Sequence, residues 1–149
     1  MSLQLKNLTT GVPLTASDTA SEPIPANVNR LPLDGKIYVI YATPDFATTA
    51  KKSALVKNIR LVNTYSAPIV INLFYARFTS ATNSRRRQIS PVDLVLPAGF
   101  EYIDDDEIIL ESGSNLQDKL QASAKPQTGN PLPTTYVDFV ISGAERDVS

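Results

Sequence analysis

From Lys36 onward the chain is a succession of short β-like runs with turn residues between them, and no clear crossover helix separates one run from the next. That feature restricts the fold more than any other. Parallel strands need connections of a dozen or more residues, usually helical, whereas strands joined by short polar turns assemble into antiparallel sheets. The runs are "KIYVIYA" (36–42), "LVKNIRLVN" (55–63), "IVINLFYARF" (69–78), "DLVLPAG" (93–99), "FEYI" (100–103), "EIILESG" (107–113), "KLQASA" (119–124) and "TYVDFVISG" (135–143). They predict an all-β fold, an antiparallel β-sandwich or jelly roll of about 7–8 strands.

Side-chain alternation refines two of the runs. In the second, Leu55, Ile59 and Leu61 share a face with Lys57, opposite Val56, Asn58, Arg60 and Val62. In the third, Ile69, Ile71, Leu73 and Tyr75 lie opposite Val70, Asn72, Phe74 and Ala76. The five residues "TYSAP" (64–68) between them have hairpin length and turn composition, so a β-hairpin is expected over 55–78. "SNLQDKLQASAK" (114–125) fits both readings, with Leu116, Leu120 and Ala124 at helical spacing and Leu120, Ala122 and Ala124 in alternation.

Ahead of these runs, residues 11–35 carry prolines at 13, 23, 25 and 32 among Ser, Thr, Ala and Asn. Proline removes backbone donors and fixes φ near the polyproline value, so this stretch reads as extended, with a reach of about 3 Å per residue. The expected organisation is an extended N-terminal arm (1–35) and a β-sandwich domain (36–149). Leu14, Ile24, Val28, Leu31 and Leu33 are the candidate anchors of the arm on a neighbouring subunit.

Composition narrows function by exclusion. The chain has no cysteine and no histidine, so it has no thiol nucleophile, no zinc–thiolate site and no imidazole base. No Gly-rich phosphate loop is present among its six glycines, and neither a cofactor nor a metal is expected. With 14 basic against 15 acidic residues the net charge is −1, which favours neither nucleic acid nor an anionic membrane. The start lacks a basic, then apolar, leader pattern and no long apolar run follows, so synthesis in the cytoplasm without a membrane span is expected. "NLT" at 7–9 is then a chance sequon.

Taken in order, "LVKNIRLVNTYSAPIVINLFY", "ISPVDLVLPAG", "IDDDEIILESG" and "VDFVISGAERD" resemble the small β-rich virion structural proteins of tailed bacteriophages. Shared features are a strand ending in Asn-Thr, a second apolar strand, a "LPAG" turn, an acidic step into a strand ending in Gly, and a closing strand ending "SG-x-E". The resemblance covers about residues 36–147. Where an acidic residue commonly follows the glycine of the acidic strand, this chain has Ser114 after Gly113. The resemblance implies a non-enzymatic, repeated subunit located in the virion and made in the bacterial host's cytoplasm. Its partners would be copies of itself and other virion proteins at the head surface, neck or tail.

Two charged stretches are the candidate contacts. Asp104, Asp105, Asp106 and Glu107 sit where two strands are expected to join, and turn chemistry accounts for them, because Asp side chains bond nearby backbone amides. A calcium loop would need a glycine at its bend, which this stretch lacks. Arg85, Arg86 and Arg87, in an expected loop "NSRRRQ" (83–88), are suited to bidentate contacts with carboxylates of another subunit. The competing reading is a monomeric carbohydrate- or receptor-binding β-sandwich, with a site built on Tyr38, Tyr41, Tyr65 or Tyr102.

Overall fold

The computed structural model of the protein describes residues 3–7, 21–22 and 30–148. Its strands are β1 (Leu3–Asn7), β2 (Ser21–Glu22), β3 (Arg30–Leu33), β4 (Ile37–Ala42), β5 (Lys51–Val62), β6 (Ile69–Phe78), β7 (Ser84–Gln88), β8 (Leu94–Leu96), β9 (Glu101–Asp104), β10 (Ile108–Leu110), β11 (Ser112–Gly113), β12 (Leu116–Pro126) and β13 (Leu132–Val148). They form two sheets. The first runs β1-β13-β5-β10, with β3 also beside β13 and β9 also beside β5. The second runs β2-β4-β12-β6-β7, with β11 beside β12 and β8 beside β6. All pairings are antiparallel except the short one between β2 and β4.

The pairs nest. β3 pairs with β13, β4 with β12, β5 with β9 and β10, and β6 with β7 and β8, so one long folded-over hairpin is wound into two sheets. This is the strand order of a jelly roll. Leu33, Ile40, Val56, Leu61, Ile71, Leu120 and Phe139 are among the residues that fill the core between the sheets.

The winding overturns the expected hairpin over 55–78. β5 and β6 lie in different sheets, and the segment joining them crosses the sandwich instead of reversing within a sheet. Asn63 sets the crossing. Its buried side-chain amide donates to the carbonyls of Ala67 and Leu96, both at 2.9 Å, and its Oδ1 accepts the Tyr65 amide at 2.9 Å. One of those acceptors is 33 residues away and cannot be read from the local sequence.

Three more expectations change. Residues 83–88 are not a loop, because β7 pairs along β6 from Ser84 to Gln88. The ambiguous 114–125 stretch is strand throughout most of its length. Residues 30–33 belong to the domain, since β3 pairs with β13, and Leu31 and Leu33 are fully buried in the chain's own core. They are therefore not free to anchor an arm on a neighbour. Leu14, Ile24 and Val28 lie outside the described residues.

Two β-bulges shift the alternation. Opposite β13, the register steps from Asn58 to Val56 while β13 advances only from Ser142 to Gly143, which leaves Lys57 as the extra residue. Ala54 and Val56 therefore point inward on one side of the bulge and Ile59 and Leu61 on the other, and Leu55 does not share their face as the simple alternation had it. In β4, Ile40 is the extra residue, so that Tyr38 and Tyr41 both reach the interior.

Candidate subunit-interface site

The row of β6 that begins with the buried Ile69, Ile71 and Leu73 continues in the partly buried Tyr75 and ends in the exposed Arg77. Arg77 stands at the exposed end of this row, and β12 places beside it Asp118, which is fully buried. Arg77 Nε donates to Asp118 Oδ1 at 2.9 Å and its Nη2 to Oδ2 at 3.0 Å, and the Glu111 amide donates to Oδ2 at 2.8 Å. The same carboxylate acts on the Tyr75 phenol and raises it. Asp118 thus holds the Arg77 side chain and one backbone amide at the end of the core.

β7 extends this row. Arg85 stands opposite Arg77 and Arg87 opposite Tyr75, while Arg86, one residue out of phase, faces the other side of the sheet. There its guanidinium lies 5.2 Å from the centre of the Phe74 ring and donates to Gln121 Oε1 at 2.7 Å. The "RRR" run is thus divided by strand alternation. Arg86 is held by its own sheet. Arg85 and Arg87 are exposed and, among the described residues, form neither an ion pair nor a side-chain hydrogen bond. With Tyr75, Arg77, Thr79, Asn83 and Ser84 they line a cleft of about 320 Å³.

The acidic turn sorts in a similar way. Asp104 is buried and its Oδ1 accepts the Asp106 amide at 3.0 Å, which makes it the turn former. Glu107 is paired with Lys57 at 2.9 Å across an exposed surface. Asp105 and Asp106 are exposed, and neither side chain forms an ion pair among the described residues. No group of three or more Asp, Glu, His or Cys among the described residues is placed to hold a metal ion. Sequence reading singled out Arg85 and Arg87 but missed Tyr75, Arg77 and Asp118 beside them. The available signal was Arg77, which continues the parity of Ile69, Ile71 and Leu73.

The tyrosines proposed for a sugar site are used elsewhere. Tyr38 and Tyr41 are buried, and Tyr65 and Tyr102 pack against the core. Tyr41 donates to the buried Glu145 at 2.8 Å, and burial together with that carboxylate raises its phenol well above the ordinary range. Burial first, and then the Asp118 carboxylate, push the Tyr75 phenol up to about 12. The unfolded chain ionises a tyrosine near pH 10. Both phenols therefore contribute stability that is fully present below pH 10 and is lost as the pH rises through their folded values. Urea unfolding at pH 8 and at pH 11 should show a lower midpoint at the higher pH, and Tyr41→Phe should lessen the difference. Equal sensitivity in parent and variant would contradict the assignment to Tyr41.

No protein-family model and no curated protein sequence matches this chain. Among solved structures, its fold is similar to that of a chain in the T13 viral particle of IBDV, an icosahedral virus, with a TM-score of 0.54 and 11% identity over 96% of this chain and 30% of that one. A chain in the structure of the Gx strain of infectious bursal disease virus aligns with a TM-score of 0.49 and 10% identity, over 97% of this chain and 32% of that one. The protein thus spans about a third of the length of these neighbours. At such identity the likeness establishes the fold, a two-sheet antiparallel β-sandwich.

Proposed function

We propose that this chain is a non-enzymatic structural protein of a virus particle, a repeated subunit of a tailed bacteriophage that assembles at the neck or tail or decorates the head. The observation that carries the reading is a jelly roll matched, over nearly the whole chain, to part of a virus-particle protein. The resemblance of the order of strands and turns to small virion proteins of tailed phages supports the narrower assignment. The absence of cysteine and histidine, the side chains behind thiol and imidazole chemistry, supports a role without catalysis.

In this role Arg85 and Arg87 face acidic groups of a neighbouring subunit, and Asp105 and Asp106 are the acidic groups that this chain offers in turn. Exposed ion pairs are worth only about 0–1 kcal/mol each, so the charges set register while apolar contacts supply most of the affinity. Arg85→Glu combined with Arg87→Glu should leave the melting temperature within about 3 °C of the parent, because neither side chain has a partner among the described residues. The same variant should be depleted at least about tenfold from purified particles when quantified by mass spectrometry, as expected when like charge replaces opposite charge at a repeated contact. Detection of the parent protein in particles, with the variant incorporated equally, would remove the arginines from assembly. Absence of the parent protein from purified particles would overturn the virion reading itself.

A further inference from the structure

β7 is the outermost strand on its side of the second sheet, and among the described residues it pairs with β6 alone. Its other edge presents the alternate backbone N–H and C=O groups of Ser84–Gln88, which no strand among the described residues pairs with. On the face that lines the cleft, this edge carries Arg85 and Arg87, two residues apart and thus about 6.7 Å apart along the strand. Arg77 and Arg85 stand directly opposite each other, an arrangement of like charges that is unfavourable unless anions lie near. Asp118 answers Arg77. No carboxylate of the described residues forms an ion pair with Arg85 or Arg87.

We infer that the β7 edge takes an extended acidic segment of a neighbouring protein, added to the sheet as a further strand, with its carboxylates at alternate positions facing Arg85 and Arg87. Strand addition accounts for three observations together. The open edge supplies main-chain hydrogen bonds, and the two-residue period of the free arginines matches the two-residue period of side chains on an added strand. The cleft gives the carboxylates room beside the Tyr75 hydroxyl and the Thr79, Asn83 and Ser84 side chains. An acidic segment whose charges were consecutive would send half of them to the opposite face, where Arg86 is already held by Gln121 and Phe74. A nucleic acid fits less well, since single-strand binders interleave exposed aromatic rings with their cations, and among the described residues lining this cleft the aromatic one is Tyr75, which is partly buried. The inference names the kind of partner segment behind the assembly reading, yet it is tested on the isolated protein and so can fail independently of it.

The test uses the ¹⁵N-labelled full chain and a capped heptapeptide alternating Asp and Thr. Addition of the peptide should shift the amide resonances of Ser84–Gln88 and slow hydrogen exchange at β7 amides that exchange freely in its absence. Arg85→Ala with Arg87→Ala should weaken the peptide's Kd at least about tenfold, as expected for the loss of close charge pairs. A peptide of the same composition with its acids consecutive should bind at least about fivefold more weakly, because half of its charges then face away from the arginines. Shifts without slowed exchange, or equal binding of the two peptides, would reduce the site to a diffuse charge effect and overturn strand addition. Tighter binding of a single-stranded DNA oligonucleotide than of the alternating peptide would overturn the choice of partner. A complete lack of response to millimolar peptide would show that Arg85 and Arg87 merely keep the edge from pairing.

Discussion

Gly143→Ala is expected to destabilise the protein by about 3 kcal/mol or more, which lowers the melting temperature by roughly 6–12 °C for a domain of this size. A Cβ at this position would stand 2.1 Å from the Leu55 carbonyl oxygen and 3.0 Å from both the Leu55 carbonyl carbon and the Val56 Cα. No rotamer relieves such a contact, since the offending atom is the Cβ itself and its neighbours are backbone. The cause is the bulge at Lys57, which brings β5 and β13 together where the register shifts from Asn58 to Val56. Only glycine allows that approach. Because the bulge also turns Val56 and Ile59 inward, relaxing the strands to admit a methyl group would disturb the core on both sides. Gly113→Ala is the matched control, with its new Cβ 3.8 Å from the Leu116 Cβ, an ordinary contact, and should change stability little. Thermal unfolding of the two variants side by side decides the matter, and similar melting temperatures would refute the packing account.

Asp118→Ala should cost about 2–4 kcal/mol. The carboxylate is fully buried and accepts from the Arg77 Nε and Nη2 and from the Glu111 amide, so its removal leaves several donors without their acceptor. The Arg77 side chain is 43% exposed and can recover part of its hydration, which holds the loss below that of a wholly buried pair. Asp118→Asn separates shape from charge. It preserves size and one acceptor oxygen, and should lose less stability than the alanine variant. Tyrosinate absorbance gives a second readout. With the carboxylate removed, the Tyr75 phenol should titrate below the value near 12 that it has in the parent, but still above 10 because burial is the larger cause. An unchanged titration in Asp118→Asn would show that Asp118 does not govern this end of the sheet. Either substitution should also disturb the row on which Arg85 and Arg87 stand, since Arg77 and Tyr75 are their cross-strand neighbours.

The runs of β-branched and aromatic residues marked most of the strands because local alternation is itself a strand property, and the absence of crossover helices marked the sandwich. The partition of those strands between two sheets was not local. β5 and β6 have the composition and spacing of a hairpin, yet Asn63 finds an acceptor on Leu96 and the chain crosses instead. Leu31 and Leu33 sit in a proline-containing stretch that looks like a linker, and only their pairing opposite β13 makes it β3.

The amino-acid sequence alone sets the charges of the candidate site: three adjacent arginines, four adjacent acids, and no cysteine or histidine to act with them. It also determined that a strand would divide the arginines, since neighbouring side chains point to opposite faces. The tertiary fold makes residues 84–88 a strand at all, because a run this polar is held there by pairing with β6 and not by its own preference. It likewise decided that Arg86 is engaged by Phe74 and Gln121 while Arg85 and Arg87 face a cleft, and that Asp104 is consumed by its own turn. A charge acquires a role from the partner placed within hydrogen-bonding distance, and in a jelly roll most such partners are brought from far along the chain, as Asp118 is brought to Arg77 across 41 residues.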